Sequence, residues 1–396
     1  MAIQRLFLAL LSLHGLSTAI PVDGPLPNRN LRTVKRQTLS DGSQIDWVPL
    51  DSQTPSGKVA SPPPGSLSPK IAIVNSNDPL QPKAELQLPG AEQGPAGTVP
   101  VLVADNATLP MQRSKSAPPG SPGAELRKRA VGDHWYASSA QAVNNHGGSA
   151  SYSIYKAWTE SDNDFSLLQV AVTRYNVPKP GDNSQTATQT LEAGWINYPA
   201  QIQSPHLFTF FTTDGYQTLA DNKGGWNRDV AGWVQVDSQI FPGTAFGPLS
   251  VRGGAQYEIK IQYLLYQGNW WLWALDRWIG YYPASLFSNG TPAAGSLADH
   301  SDHIHYYGEI YDSHPQLTKT DMGSGNFPEA GFGQAAFMRK LVYTDTNEAD
   351  QYYDGSGAII VSDTNRYRMV TQFGNRDDWG SYMYLGGPGA GGQTDA

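Results

Sequence analysis

The stretch Tyr257-Glu-Ile-Lys-Ile-Gln-Tyr-Leu-Leu-Tyr266 decides the fold class. Tyr257, Ile259, Ile261, Tyr263 and Leu265 recur at every second position, the period of a strand that buries one face. Phe165 to Tyr175 is a second extended run rich in β-favouring residues. Between them and after them Gly, Asn, Asp and Pro punctuate short apolar segments, and no apolar pattern of helical period lasts several turns. The run Gly268-Asn-Trp-Trp-Leu-Trp-Ala-Leu-Asp-Arg-Trp-Ile-Gly-Tyr-Tyr-Pro283 puts tryptophan on both faces of a strand. One face can pack in a core while the other lines a cleft, or both can be buried. These segments predict an all-β domain over residues 130–396, an antiparallel two-sheet β-sandwich.

Outward from that body the composition changes near Arg129. Residues 1–129 hold 18 of the 29 prolines, one Phe, one Trp and no Tyr, so the packed core is expected downstream. The charge divides as well: 13 basic against 9 acidic residues (+4) up to 129, then 14 against 26 (−12). Residues 1–19, with Arg5 ahead of the apolar run Leu6 to Leu13 and Ser17-Thr-Ala19 as a small-residue cut site, read as a secretory signal peptide. Residues 20–129 then read as a largely irregular, removable prosegment ending in Leu126-Arg-Lys-Arg129, where a dibasic processing protease cuts after Arg129. Its one strand-like segment with an aromatic anchor, Gln37 to Trp47 and on to Leu50, is the part expected to dock. A secreted, extracellular protein also fits the sequons at Asn106 and Asn289 as glycosylation sites, and no later segment is apolar enough to span a membrane as a helix.

The inventory excludes much chemistry. With no Cys there is no disulfide, thiolate metal site or cysteine nucleophile. Sparse Lys and Arg on a chain of net charge −8 argue against nucleic acid as a partner. No G-x-S-x-G, H-E-x-x-H, D-T-G or D-S-G occurs, and the G-x-G-x-x-G at Gly387 to Gly392 leaves no room for a following helix. His300, His303 and His305 lie close in sequence, but their spacing supplies an incomplete ligand set, so neither a metal nor another cofactor is expected.

Two glutamates stand out by their neighbours. In Thr190-Leu-Glu192-Ala-Gly194-Trp195, alternation turns Glu192 away from Leu191 and Trp195 and sets it beside Gly194, whose missing side chain leaves space. In Tyr307-Gly-Glu309-Ile-Tyr311, the acid shares a face with two tyrosines that would desolvate it. Two carboxylates facing one cleft can act as general base and general acid on a water. Taken from spacing alone, two ordinary surface glutamates remain the commoner arrangement.

Six islands, in order, resemble the neprosin family of secreted glutamic peptidases: Leu191-Glu192-Ala-Gly-Trp195, Leu207 to Tyr216, Gly268 to Leu272, Ile279 to Pro283, Tyr307-Gly-Glu309-Ile310, and Met322 to Gly333. Asp41 to Val48 is similar to the family's amino-terminal activation domain, and the dibasic junction fits a fungal-type member. The resemblance implies a zymogen, a β-sandwich and a catalytic pair falling on Glu192 and Glu309, acting on polypeptide substrates; one ionised and one protonated glutamate, at a reference pKa of roughly 4.3, coexist best in acid. The aromatic residues Trp195, Tyr216, Trp270 and Tyr307 in these islands are the candidates for lining the substrate cleft. Plant members cleave at proline and carry cysteine pairs, which this chain lacks. The alternative is a carbohydrate-active or carbohydrate-binding β-sandwich, since polysaccharide sites also combine paired acids with aromatic platforms.

Overall fold

The computed structural model describes residues 31–65, 82–103, 133–179, 182–288 and 292–390. Residues 1–19, Asn106, Arg129 and Asn289 lie outside these residues. Among the described residues the chain is all-β apart from short 3-10 turns. Four strands fall in the leader: β1 Lys35–Thr38, β2 Gln44–Pro49, β3 Lys83–Ala84 and β4 Thr98–Leu102. The body opens with β5 Asp133–Ser153, β6 Phe165–Lys179, β7 Asp182–Tyr198, β8 Ile202–Thr212, β9 Gly224–Trp226, β10 Val234–Gln235 and β11 Phe246–Gly247. The tryptophan-rich meander follows as β12 Glu258–Tyr266, β13 Asn269–Ala274 and β14 Arg277–Pro283, and then β15 Ser301–Asp312. The last five are β16 Ala336–Asp345, β17 Asp350–Tyr352, β18 Ile359–Val361, β19 Arg368–Gln372 and β20 Tyr382–Gly386.

The hydrogen-bonded ladder does not divide into two sheets. It runs unbroken as β10-β14-β13-β12-β5-β15-β6-β7-β8-β9, with β16 to β20 attached through β5, in one antiparallel sheet of fifteen strands. The cause is the length of β5. Its first part, 133–145, pairs with β15, and its last part, 147–153, pairs with β12. The changeover falls at Gly147 and Gly148, where a Cβ would lie 2.1 Å from the Tyr263 carbonyl oxygen and 2.4 Å from that of Val342. Only glycine lets three backbones approach so closely.

Curled in this way, the sheet packs against itself. Leu168, Val170, Val172, Leu191, Ala193 and Trp195 of β6 and β7 share a core with Ile259, Ile261, Tyr263 and Leu265, the face read from the alternation of β12. Burial on the order of 25 cal/mol per Å² of apolar surface makes this the main stabilising term. Both faces of the tryptophan run are covered: Trp270 and Leu272 join that core, while Trp271 and Trp278 form a second cluster with Tyr281.

The leader is more ordered than its composition suggests. β1, β2 and β4 form a three-stranded antiparallel sheet, and β3 pairs with β11 of the body. It has too few large apolar groups for a core of its own, so it borrows one: Leu39, Ile45, Trp47, Leu86 and Leu102 pack with Ile202 and Phe241 of the body. Val59 and Ala60 cover the cluster around Trp271. Gln53 is buried and exchanges two hydrogen bonds with the Gln235 backbone, at 2.7 and 2.9 Å. The leader's ion pairs Lys35–Glu92 and Arg36–Asp46 close within the leader itself. Its described seat on the body thus combines apolar packing with hydrogen bonds, and these two ion pairs do not reach the body.

Candidate active site

β6 runs between the two strands that carry the glutamates. Glu192 of β7 is level with Ala171, and Glu309 of β15 is level with Leu167, four residues along the same face of β6. Tyr307 is level with Gln169, between them. Alternation thus brings Glu192, Gln169, Tyr307 and Glu309 to the face opposite the core. Both acids have 0% of their surface exposed.

Glu192 is held by neutral donors. The Gln169 side-chain amide donates to Oε2 at 2.7 Å, the Tyr307 hydroxyl to Oε2 at 3.2 Å and the Tyr216 hydroxyl to Oε1 at 2.5 Å. Burial, reinforced by the nearby carboxylates, pushes both phenols well above their ordinary range, so they remain neutral hydroxyls. From the core side Thr209 and Tyr263 donate to the Glu192 carbonyl oxygen at 3.2 and 3.1 Å, fixing the backbone beneath the acid.

Glu309 has different company. His134 Nδ1 lies 2.6 Å from its Oε1, and the Tyr136 hydroxyl donates to the same oxygen at 3.3 Å. The imidazole sits among Tyr136, Phe165 and Tyr311, with ring centroids 5.2 to 6.1 Å away.

Tyr216 reaches Glu192 from the turn after β8. Its φ of 66° is left-handed, an uncommon conformation for an aromatic residue. The offsetting contacts are its ring stacked on Phe210 at 5.6 Å and 7°, its N–H bonded to the Thr212 hydroxyl at 2.9 Å, and its bond to the acid.

The four aromatic candidates separate into two pairs. Tyr216 and Tyr307 touch Glu192. Trp195 and Trp270 do not reach this face: both are fully buried in the core, their indole N–H groups bonded to the carbonyl oxygens of Ser153 at 2.9 Å and Leu297 at 2.8 Å. Gly194 also has another role than leaving room. A Cβ there would lie 1.9 Å from the Leu168 carbonyl oxygen, so the missing side chain admits the β6 backbone. Sequence reasoning missed Gln169, His134 and Tyr136. Gln169 interrupts the apolar run of β6, a signal that was available, whereas His134 and Tyr136 follow the Arg129 junction without any pattern linking them to residue 309.

The histidines near residue 303 do not converge. His300 bonds Arg174 and Asp299, His303 bonds Asp302, and His305 meets the Tyr175 hydroxyl at 3.1 Å. Burial, with His303 beside it, pulls His305 down to about 3. Among the described residues the donor atoms of Asp164, Asp312 and His314 do lie within 4.8 Å of one another. Asp164, however, already accepts from Ser313, Thr318 and Thr320 at 2.5 to 2.7 Å, which makes it a hub for the loop after β15.

The Neprosin family model matches residues 162–388, more than half of the chain and the whole span that holds both glutamates. The chain belongs to the neprosin family. Its neprosin domain is a peptide hydrolase. Among solved structures it is similar to scytalido-glutamic peptidase bound to a peptide-based transition-state analogue, at 11% identity over 63% of this chain and 97% of that one, with a TM-score of 0.32. It is also similar to SCP-B, a member of the eqolisin family in complex with the tripeptide Ala-Ile-His, at 8% identity over 63% and 96%, with a TM-score of 0.31.

Proposed function

We propose that this neprosin-family protein is a secreted, acid-active glutamic endopeptidase, made as a zymogen, in which Glu192 and Glu309 activate a water. The observation that carries the reading is the placement of two fully buried carboxylates on one face, on strands flanking β6, with Tyr307 between them. One acid, ionised, takes a proton from water as its oxygen bonds to the scissile carbonyl carbon. The other, protonated, supports the developing charge on the carbonyl oxygen and gives its proton to the leaving nitrogen as the C–N bond breaks. With a reference Glu pKa of roughly 4.3, this mixed state is most populated in acid. The bonds that form, C–O, N–H and the O–H of the base, balance those that break, C–N, one O–H of water and the O–H of the acid, so neither a covalent intermediate nor a cofactor is needed.

Tyr216 and Tyr307 form the wall on the Glu192 side, where they orient the acid and contact substrate. Proline is the residue we expect at the cleavage point, following the family's plant members. Maturation is expected after Arg129, giving an amino terminus at Ala130, with glycans on Asn106 of the precursor and on Asn289. The test is incubation of processed protein, and of its Glu192→Gln and Glu309→Gln variants, with denatured polypeptide and separately with plant and fungal glycans. Cleavage of polypeptide alone, lost in both variants and indifferent to chelators, supports the proposal. Turnover of glycan alone overturns it.

A further inference from the structure

The two acids are supported by groups of different kinds, and the difference has a chemical consequence. Gln169, Tyr216 and Tyr307 bond the Glu192 side chain through an amide and two phenols, groups that keep their protons across the acid range. Glu309 instead meets an imidazole at 2.6 Å, closer than the Tyr136 hydroxyl at 3.3 Å. An imidazole, unlike an amide or a phenol, can carry a proton and a positive charge beside the carboxylate it touches within the acid range.

We infer that His134 is a positioning residue of the reaction: its imidazolium, fixed by Tyr136, Phe165 and Tyr311, holds Glu309 in the carboxylate form and aims it as the group that takes the water's proton. The inference rests on the proposed catalytic pair and adds to it an assignment of roles and a residue outside the matched span. The geometry suits the task. The His134 side chain is 9% exposed, so substrate and solvent reach it poorly, and its partner Glu309 is wholly buried. β5 and β15 pair residue for residue here, Tyr136 with Glu309 and His134 with Tyr311, which places the ring diagonally over the acid. The titratable groups facing the ring are Glu309 and Tyr311 from β15 and Tyr136 from its own strand, while β6 presents Phe165. Glu309 is the single carboxylate among these contacts, so the charge of the imidazolium is directed at it.

The experiment uses the processed enzyme and records kcat, KM and the pH dependence of kcat/KM for His134→Ala, His134→Asn and Glu309→Gln. Without the imidazolium Glu309 protonates at higher pH, so in both His134 variants the acid limb of the profile should move up by about one pH unit. At a pH on that limb kcat should fall about tenfold with KM little changed, and added free imidazole should restore part of the activity of His134→Ala. A purely structural role would lower activity at all pH values without moving the limb. Should the His134 variants not fold, histidine NMR on the intact protein replaces them: the His134 ring should titrate at lower pH in Glu309→Gln than in the unmodified enzyme. An inactive Glu309→Gln together with an unmoved limb, or an unmoved ring titration, overturns the role of His134 alone. A fully active Glu309→Gln overturns the catalytic pair and this inference with it.

Discussion

The two faces of β6 and β7 are built to opposite rules. On one, Leu168, Val170, Leu191 and Trp195 share the core with residues of β12, and burial is their main contribution. On the other, an equally buried surface holds Gln169, Glu192, Tyr307 and Glu309, where each polar atom must find a partner or cost stability. One residue separates the faces along the chain, so the apolar face supplies the rigidity that the polar face needs to hold charged groups in place. Tyr263 and Thr209 make the link physical by bonding the Glu192 backbone from the core side.

Substitutions can take this division apart. The largest effect is expected from Glu192→Gln and Glu309→Gln, each lowering peptide hydrolysis about a hundredfold to ten-thousandfold. The double variant should be little worse than either, as for groups acting as a unit, with circular dichroism unchanged. Exposed Glu160, Glu329 and Glu348 serve as mild controls. Glu258 does not, since it grips Arg339 through two bonds of 2.7 Å and its loss would unsettle the fold.

On the apolar face, Trp195→Ala should cost about 3–5 kcal/mol in a denaturant titration. Activity per folded molecule should fall far less than in the glutamate variants; a specific loss of kcat with unchanged stability would mean that the faces are not separable.

Acid should act through buried histidine. Burial pulls His206, beside the leader's seat on β8, down to about 4. The folded form therefore binds its proton less readily than the unfolded chain, so stability is full above about pH 6.5 and declines as pH falls toward 4. The loss reaches up to about 3 kcal/mol by linkage. Denaturant titrations of the precursor at pH 7 and 4.5 should show the decline, and His206→Gln should make it shallower, the remainder coming from His305, which burial also pulls down. The smallest effect on turnover is that of Tyr216→Phe, which deletes one bond to the buried Glu192 and should lower kcat about tenfold and stability by about 1–3 kcal/mol.

How far the sequence could be read follows from the range of the interactions. Alternation in β12 and β7 is local, so the buried face and the outward turn of Glu192 were legible residue by residue. The single curled sheet was not, because it depends on β5 meeting β12, β15, β16 and β18, partners about 110 to 220 residues away along the chain, a distance no local pattern encodes. The proposed catalytic pair, Glu192 and Glu309, emerged from family resemblance rather than spacing. Tyr216 and Tyr307 were within reach for the same reason, whereas Trp195 and Trp270 were misplaced because an aromatic residue in a matched island can serve the core as readily as a cleft. The leader was underrated because composition counts aromatic residues, and one tryptophan, Trp47, suffices when the body provides the rest of the cluster.

The two-sided pairing of β5 also imposes an order on biosynthesis. β5 is the first strand of the body to leave the ribosome, yet one edge waits for β12 and β15, and the other for β16 and β18, ending at Val361. Until nearly all of the chain has been made, a strand of 21 residues has its amide and carbonyl groups open to any passing strand. The leader emerges before it, but the small sheet that ends at Leu102 must itself wait for Ile202 and Phe241 of the body to complete its apolar cluster.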